Sequence, residues 1–299
     1  EYQALVRMTA GALCGTDKEI IYDKLKGFHN YPTVLGHEGI GRVEAIGSKV
    51  KNFTVGDKIV LPFLDDGEEF YSTWGAFAEY AVIGDAEAML EDGHTVGDGV
   101  LTEGNLGQKK IPEGLDDVEA AMIVTYREVY STMKRLGFQK GKSLILYGAG
   151  PVGLVFITLA KYMGLSPVIC VDHTEKKLES ARKCGADYTL NFDQCDVTEE
   201  VLKILPEKAD MILDAAGVPA LINQNLKLVK NFGDVCIYGE TAKSEYLINW
   251  EEAPFCFNLR FAQWPSKAEE AEVHDEIIAL IKQGILKGSN YISDVFDFK

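Results

Sequence analysis

The chain divides by the rhythm of its apolar positions. Up to residue 137, apolar residues come in short runs rich in glycine and β-branched residues, broken by the turn signals "IGSKV", "VGDK" and "DDGEE". This pattern predicts the short strands of a mostly β domain. From residue 140 the rhythm changes to alternating strands and helices, which predicts a parallel sheet with crossovers. Strands are predicted over 143–147, 167–172, 188–192, 210–215 and 234–239. Amphipathic helices fill the gaps, such as "TEKKLESARKCG" with a glycine just past its end. After "WPSK" one helix, "AEEAEVHDEIIALIKQG", leads to a short terminal strand. No internal repeat or low-complexity segment interrupts this order. The chain opens on Glu1 inside a strand pattern, "EYQALVRMTAG", so residues are expected to be missing at both ends.

With 299 residues the chain is long enough for two domains and a sizeable core. The 46% hydrophobic and 25% charged content is that of an ordinary globular protein. No run of about 18 apolar residues occurs and no leader pattern opens the chain, so no membrane partner is expected. The net charge of −16 repels phosphates and excludes nucleic acid or an anionic membrane surface as partner. An anionic cofactor therefore needs a local positive site. The six cysteines form no CxxC pair and suggest no disulfide framework, which implies a reducing, cytoplasmic setting.

"LILYGAGPVGLVFITLAKYMG" supplies that positive site: an apolar strand, then Gly148-x-Gly150-x-x-Gly153, then a helix opened by Pro151 and Val152. GxGxxG alone is a weak signal, and a glycine-rich packing turn is the alternative. Here it sits in the required strand–turn–helix context, with Asp172 closing the second strand roughly 20 residues on. Gly148 permits the tight turn, Gly150 admits a pyrophosphate close to the backbone, and Gly153 lets helix and strand pack closely. The helix N-terminus brings the positive field. Asp172 can accept both ribose hydroxyls and would repel a 2′-phosphate, which favours NAD over NADP. Lys177 is expected along the adenosine ribose. Ala216 in "DAAG" and Gly239 in "YGE" end the fourth and fifth strands, where open α/β sheets bind ligands.

A second constellation lies upstream. "CGTD" carries Cys14, and "LGHEGIG" carries His37 beside Glu38. Thiolate, imidazole and carboxylate all ligate zinc, and a catalytic site needs three protein groups. A lone "GHE" is otherwise an ordinary turn histidine.

Taken together, "CGTD", "GHEGIG…GSKV", "VGDKIV", "GAFAEY" and "YGAGPVGL" resemble the medium-chain dehydrogenase/reductase superfamily, and most of all its zinc-dependent alcohol and polyol dehydrogenases, of sorbitol or glucose dehydrogenase type. The resemblance spans the chain. It implies a Rossmann doubly wound parallel sheet over 138–266 and a β-rich, GroES-like catalytic domain from 1–137 and 267–299. It also implies a homodimer or homotetramer, with the apolar segment 255–264 as sheet edge for a dimer. Residue by residue, Cys14 matches the first zinc ligand and His37 the second. Thr16 matches the hydroxyl that bonds the substrate alcohol and passes on its proton. Asp17 matches the carboxylate that orients the histidine. Glu38 occupies the place where the polyol branch can ligate zinc through the glutamate after the histidine. Glu19 stands where many relatives have a proton-relay histidine and sugar-oxidising members a glutamate.

Two departures matter. Where the family carries a further cysteine or glutamate ligand, this chain has Val124. With Cys14 and His37 as two ligands, Glu38 is then expected as the third. Glu128 would need a displacement of one helical turn, about 5.4 Å. Many relatives also hold a structural zinc on four closely spaced cysteines between "VGDKIV" and "GAFAEY"; here that interval has no cysteine, so no structural zinc is expected. The resulting expectation is an oxidoreductase moving hydride between NAD and an alcohol, polyol or sugar, with a catalytic zinc. The rivals are a zinc-free quinone or enoyl-type reductase of the same superfamily and a non-catalytic NAD-binding protein.

Overall fold

The computed structural model describes residues 1–25, 27–28, 30–241 and 245–297. It separates into two units, Glu1–Ser131 with Ser266–Ser289 and Asp294–Lys299, and Thr132–Pro265 with Asn290–Ser293. The first division falls inside the helix Ile123–Leu136.

In the first unit, strands β1 (Gln3–Ala12), β3 (Glu38–Ile46), β4 (Lys58–Val60), β6 (Tyr80–Gly84) and β7 (Lys109–Ile111) form one antiparallel sheet, ordered β6-β1-β3-β4-β7. The short strands β2 (Thr33–Val34) and β5 (Tyr71–Ser72) pair separately. Alternation along β1 sends Ala4 and Val6 inward, where they meet Val43, Phe53, Ile59 and Ile83. The β1–β3 register sets Ala12 opposite Glu38. Cys14, two residues beyond Ala12, therefore comes back to the His37–Glu38 corner despite the sequence gap.

The helix predicted over 268–284 is two helices, Lys267–Glu272 and His274–Lys282, broken at Val273. Ser266 and Glu269 cap the first reciprocally. At the break, His274 Nε2 lies 2.9 Å from the Lys110 carbonyl oxygen. Nearby, the fully buried Arg127 donates to the Gly107 carbonyl at 2.8 Å and pairs with Glu270 at 3.4 Å, which ties the broken helix to the helix Ile123–Leu136. The predicted terminal strand is not formed: the chain makes a 3₁₀ turn at Gly288–Asn290, and no strand follows it among the described residues.

The second unit is a six-stranded, wholly parallel sheet of β8 (Leu144–Tyr147), β9 (Val168–Asp172), β10 (Tyr188–Asn191), β11 (Ala209–Asp214), β12 (Val229–Ile237) and β13 (Asn258–Phe261), ordered β10-β9-β8-β11-β12-β13. Every residue of β8 and β9 is buried, as strands covered on both faces must be. The five predicted strands appear in order. The fifth starts earlier than expected because Val229 already pairs with Ala209, and β13 adds a sixth at the edge. Strand order reverses between β8 and β11, the crevice where doubly wound sheets take their ligands. No helix among the described residues is long and apolar enough to cross a membrane.

Candidate active site

Cys14, His37 and Glu38 meet in the first unit, with one ligand atom from each lying within 4.8 Å of the others. Among the described residues they form the one such group of histidine, cysteine and carboxylate side chains. Cys14 is the N-cap of the helix Gly15–Ile21, and its amide donates to Asp17 Oδ2 at 2.9 Å. Asp17 is thereby fixed and buried, with Oδ1 facing His37 Nδ1 at 3.6 Å. Neither of those two atoms has a hydrogen-bond partner. Burial alone would lower the His37 pKa, but Asp17 and Cys14 outweigh it and raise it to about 10. These side chains thus favour positive charge at their centre. Asp17 at Nδ1 leaves Nε2 as the imidazole's free donor, the arrangement usual for metal-bound histidines. Sulfur, imidazole nitrogen and carboxylate oxygen are the donor set of a catalytic zinc, and the residues fit it.

Glu38 is buried, which raises its carboxyl pKa against the opposing His37 charge and a 2.8 Å hydrogen bond donated by Thr125 to Oε1. Val124 is buried and has no donor to offer. Glu128 stays outside the group; desolvation first, then Glu270 and Glu38, push it up to about 7 against Lys267 and His37. Thr16 lies beside the cluster, its Oγ1 3.7 Å from Cys14 Sγ. Glu19 sits one turn further along the same helix, partly exposed and outside the group.

In the second unit, Gly150 caps the helix Pro151–Tyr162, with Pro151 at its first position and Val152 next. Gly148 adopts φ +100°. A Cβ on Gly153 would lie 1.9 Å from the Gly148 carbonyl oxygen, whereas one on Gly150 would meet nothing within 4 Å. The space above Gly150, at the helix N-terminus, is open. Asp172 Oδ2 accepts from the Ala149 amide and Oδ1 from the Thr174 amide, each at 2.9 Å, and Lys177 Nζ lies 3.8 Å from Oδ2. Ala216 lies against Gly148. Gly239 approaches Gly217 so closely that a Cβ would sit 2.1 Å from the Gly217 amide nitrogen.

Two family models match the chain in order: the alcohol dehydrogenase GroES-like domain over 1–91 and the zinc-binding dehydrogenase over 151–258. The chain belongs to the zinc-type medium-chain dehydrogenase/reductase family. A sorbitol dehydrogenase of Bacillus subtilis is 28% identical over 271 residues, 83% of this chain and 70% of its own. An L-threonine 3-dehydrogenase of Pyrococcus horikoshii is 29% identical over 258 residues, 79% of this chain and 68% of its own. The fold is that of an alcohol dehydrogenase from Thermus sp. ATN1, with TM-score 0.78 and 24% identity, covering 98% of this chain and 85% of that one.

Within this medium-chain dehydrogenase, several site residues carry no sequence signal. Thr125 meets Glu38 across 87 residues of chain. Asp214, buried at the end of β11, accepts the amides of Ala216, Gly217 and Val218 at 2.8–3.0 Å and so shapes the strand tip. The ring of Trp74 stands edge-on to His37 at 4.9 Å, and Phe28 leans on Trp74 at 5.4 Å. Phe28 also lines a small recess with Asn30, Asp66, Tyr71, Ser72 and Thr73. An acidic or aromatic residue at a loop tip is common in any sequence, so only the assembled backbone singles these out.

Proposed function

We propose that this chain is a zinc-dependent, NAD-linked dehydrogenase acting on an alcohol of the polyol or sugar class. The observation that carries the reading is the Cys14–His37–Glu38 group with Asp17 behind its imidazole. Cys14, His37 and Glu38 would hold one zinc, and the ion would supply Lewis acidity that lowers the pKa of the substrate hydroxyl. The cofactor on the second unit supplies the hydride chemistry. The chain's own work is orientation and proton handling. Asp17 fixes the His37 ring. The Thr16 hydroxyl accepts the proton leaving the substrate oxygen, and Glu19, on the same helix face three residues on, takes it towards solvent. Trp74 beside His37, and Phe28 against Trp74, offer apolar faces to carbon-bound hydrogens, and in the recess at Phe28 the residues Asn30, Ser72 and Thr73 offer partners for several hydroxyls. Such a lining suits a polyhydroxylated substrate. The six free thiols suit a cytoplasmic setting.

Elemental analysis of protein purified without chelator, joined to NADH formation over a panel of polyols and sugars, tests the reading. One zinc per chain and turnover of at least one panel member are expected; two zinc ions per chain would contradict the absence of a structural site. Val124 favours a second reading, a zinc-free reductase, which stands if zinc supplied in excess never binds.

NAD is the expected cofactor, because Asp172 ends β9, where its charge would meet the ribose, and no arginine follows it in "HTEKK". Fluorescence titration should show NADH binding at least about 10-fold tighter than NADPH, some 1.4 kcal/mol; tighter NADPH binding refutes the assignment.

The unit carrying β13 is proposed to pair with a second copy. β13 is an edge strand, and Phe261 at its end and Phe255 shortly before it are exposed. Sedimentation at micromolar concentration should give twice the chain mass of 33.0 kDa, and a monomer speaks against the pairing.

A further inference from the structure

Resting on the metal reading above, we propose that Thr125 is a positioning residue that fixes Glu38 as the third ligand. At Val124 this chain lacks a donor atom, and the neighbouring position of the same helix supplies something else: a hydroxyl aimed at Glu38 Oε1, 2.8 Å away, with both side chains buried. A helical threonine commonly turns its hydroxyl back onto the carbonyl three or four residues earlier. Thr125 instead reaches a side chain 87 residues away in sequence.

The consequence for Glu38 follows from its chemistry. A glutamate side chain has three rotatable bonds, and a carboxylate serving a metal must stop at one orientation. Ligating carboxylates are themselves held by hydrogen bonds for this reason. One hydroxyl on Oε1 fixes the carboxylate while leaving most of its lone pairs open to an ion. With no acid at Val124, the helix Ile123–Leu136 thus serves the site through a hydroxyl that holds the acid on β3.

The test is zinc affinity by chelator competition, with the visible spectrum of the cobalt-substituted protein reporting on coordination. Thr125→Val should bind zinc about 10–100-fold more weakly, the usual cost of losing an outer partner, and its cobalt spectrum should change. Thr125→Ser, which keeps the hydroxyl, should retain wild-type affinity and spectrum; should the valine variant fail to fold, Thr125→Ala replaces it. In a Glu38→Ala background, which has no side-chain oxygen for Thr125 to hold, the Thr125 substitution should cost nothing further, since Thr125 acts through Glu38. Wild-type affinity in Thr125→Val, or the same loss in the Glu38→Ala background, overturns the positioning role. Wild-type protein that takes up no zinc overturns the metal reading itself, a separately visible result.

Discussion

Replacing Glu38 by Gln should remove zinc from the protein, and replacing Glu128 by Gln should not. Glu38 contributes a carboxylate oxygen to a group whose atoms lie within 4.8 Å of one another, and Glu128 lies outside it. Loss of an inner ligand should exceed the roughly 10–100-fold affinity cost of losing an outer partner. The fold should tolerate the change. Glu38 is a buried carboxyl whose ionisation burial opposes, and a glutamine keeps an oxygen to accept from Thr125. Thermal stability of the metal-free Glu38→Gln protein is therefore expected to equal or exceed that of wild type, while zinc occupancy falls. Zinc measured per chain after dialysis, with a melting curve for each variant, decides the matter. Full occupancy in Glu38→Gln with loss in Glu128→Gln would assign the third ligand to the helix.

The second large effect is expected in the glycine loop, where two glycines three residues apart should fail differently. Gly153→Ala places a methyl group 1.9 Å from the Gly148 carbonyl oxygen, backbone against side chain with nothing flexible to yield. Alanine gains up to about 1 kcal/mol in helix propensity over glycine, but overpacking costs about 1–3 kcal/mol and sometimes more. The clash wins, so melting temperature and cofactor affinity should fall together. Gly150→Ala meets nothing within 4 Å and keeps an extended backbone, φ −74° and ψ 177°. Its cost to folding should stay near the ~1 kcal/mol scale of a cap substitution. If a cofactor phosphate sits there, as proposed, its methyl group would enter that place, and NADH binding should drop at least about 10-fold. Equal melting losses in both variants would contradict this division of roles.

What the chain disclosed as a string, and what it withheld, follow from the range of the interactions. Buried parallel strands announce themselves as apolar runs, so the sheet of β8 to β12 was legible to within a few residues. The shape of the glycine loop was legible because its turn, its close approach and its helix start depend on neighbours in sequence. Cys14 and His37 were found through family motifs; the physical cause of their meeting, Ala12 opposite Glu38 in the β1–β3 register, is a pairing between strands that no single segment carries. The hydroxyl of Thr125 was invisible for the same reason, being spent 87 residues away. The helix break at Val273 escaped because apolar periodicity runs through it unbroken. There the pull comes from outside, through His274 at Lys110 and Glu270 at Arg127. Edge strand β13, four residues long, falls inside the apolar segment 255–264 that was expected as a sheet edge, but its exact span did not stand out.

On the proposed NAD reading, Asp172 is the obvious handle for engineers who want the phosphorylated coenzyme, since its charge would face the ribose and a smaller residue would admit a phosphate. Its two oxygens, however, already hold the amides of Ala149 and Thr174, one in the glycine loop and the other at the cap of the next helix. A single exchange at this position would cut both tethers, and the gain in tolerance would arrive with a slackened loop. A coenzyme swap in this scaffold is better begun at 173–177, with a cation introduced beside an intact Asp172, so that the recognition changes and the joinery stays.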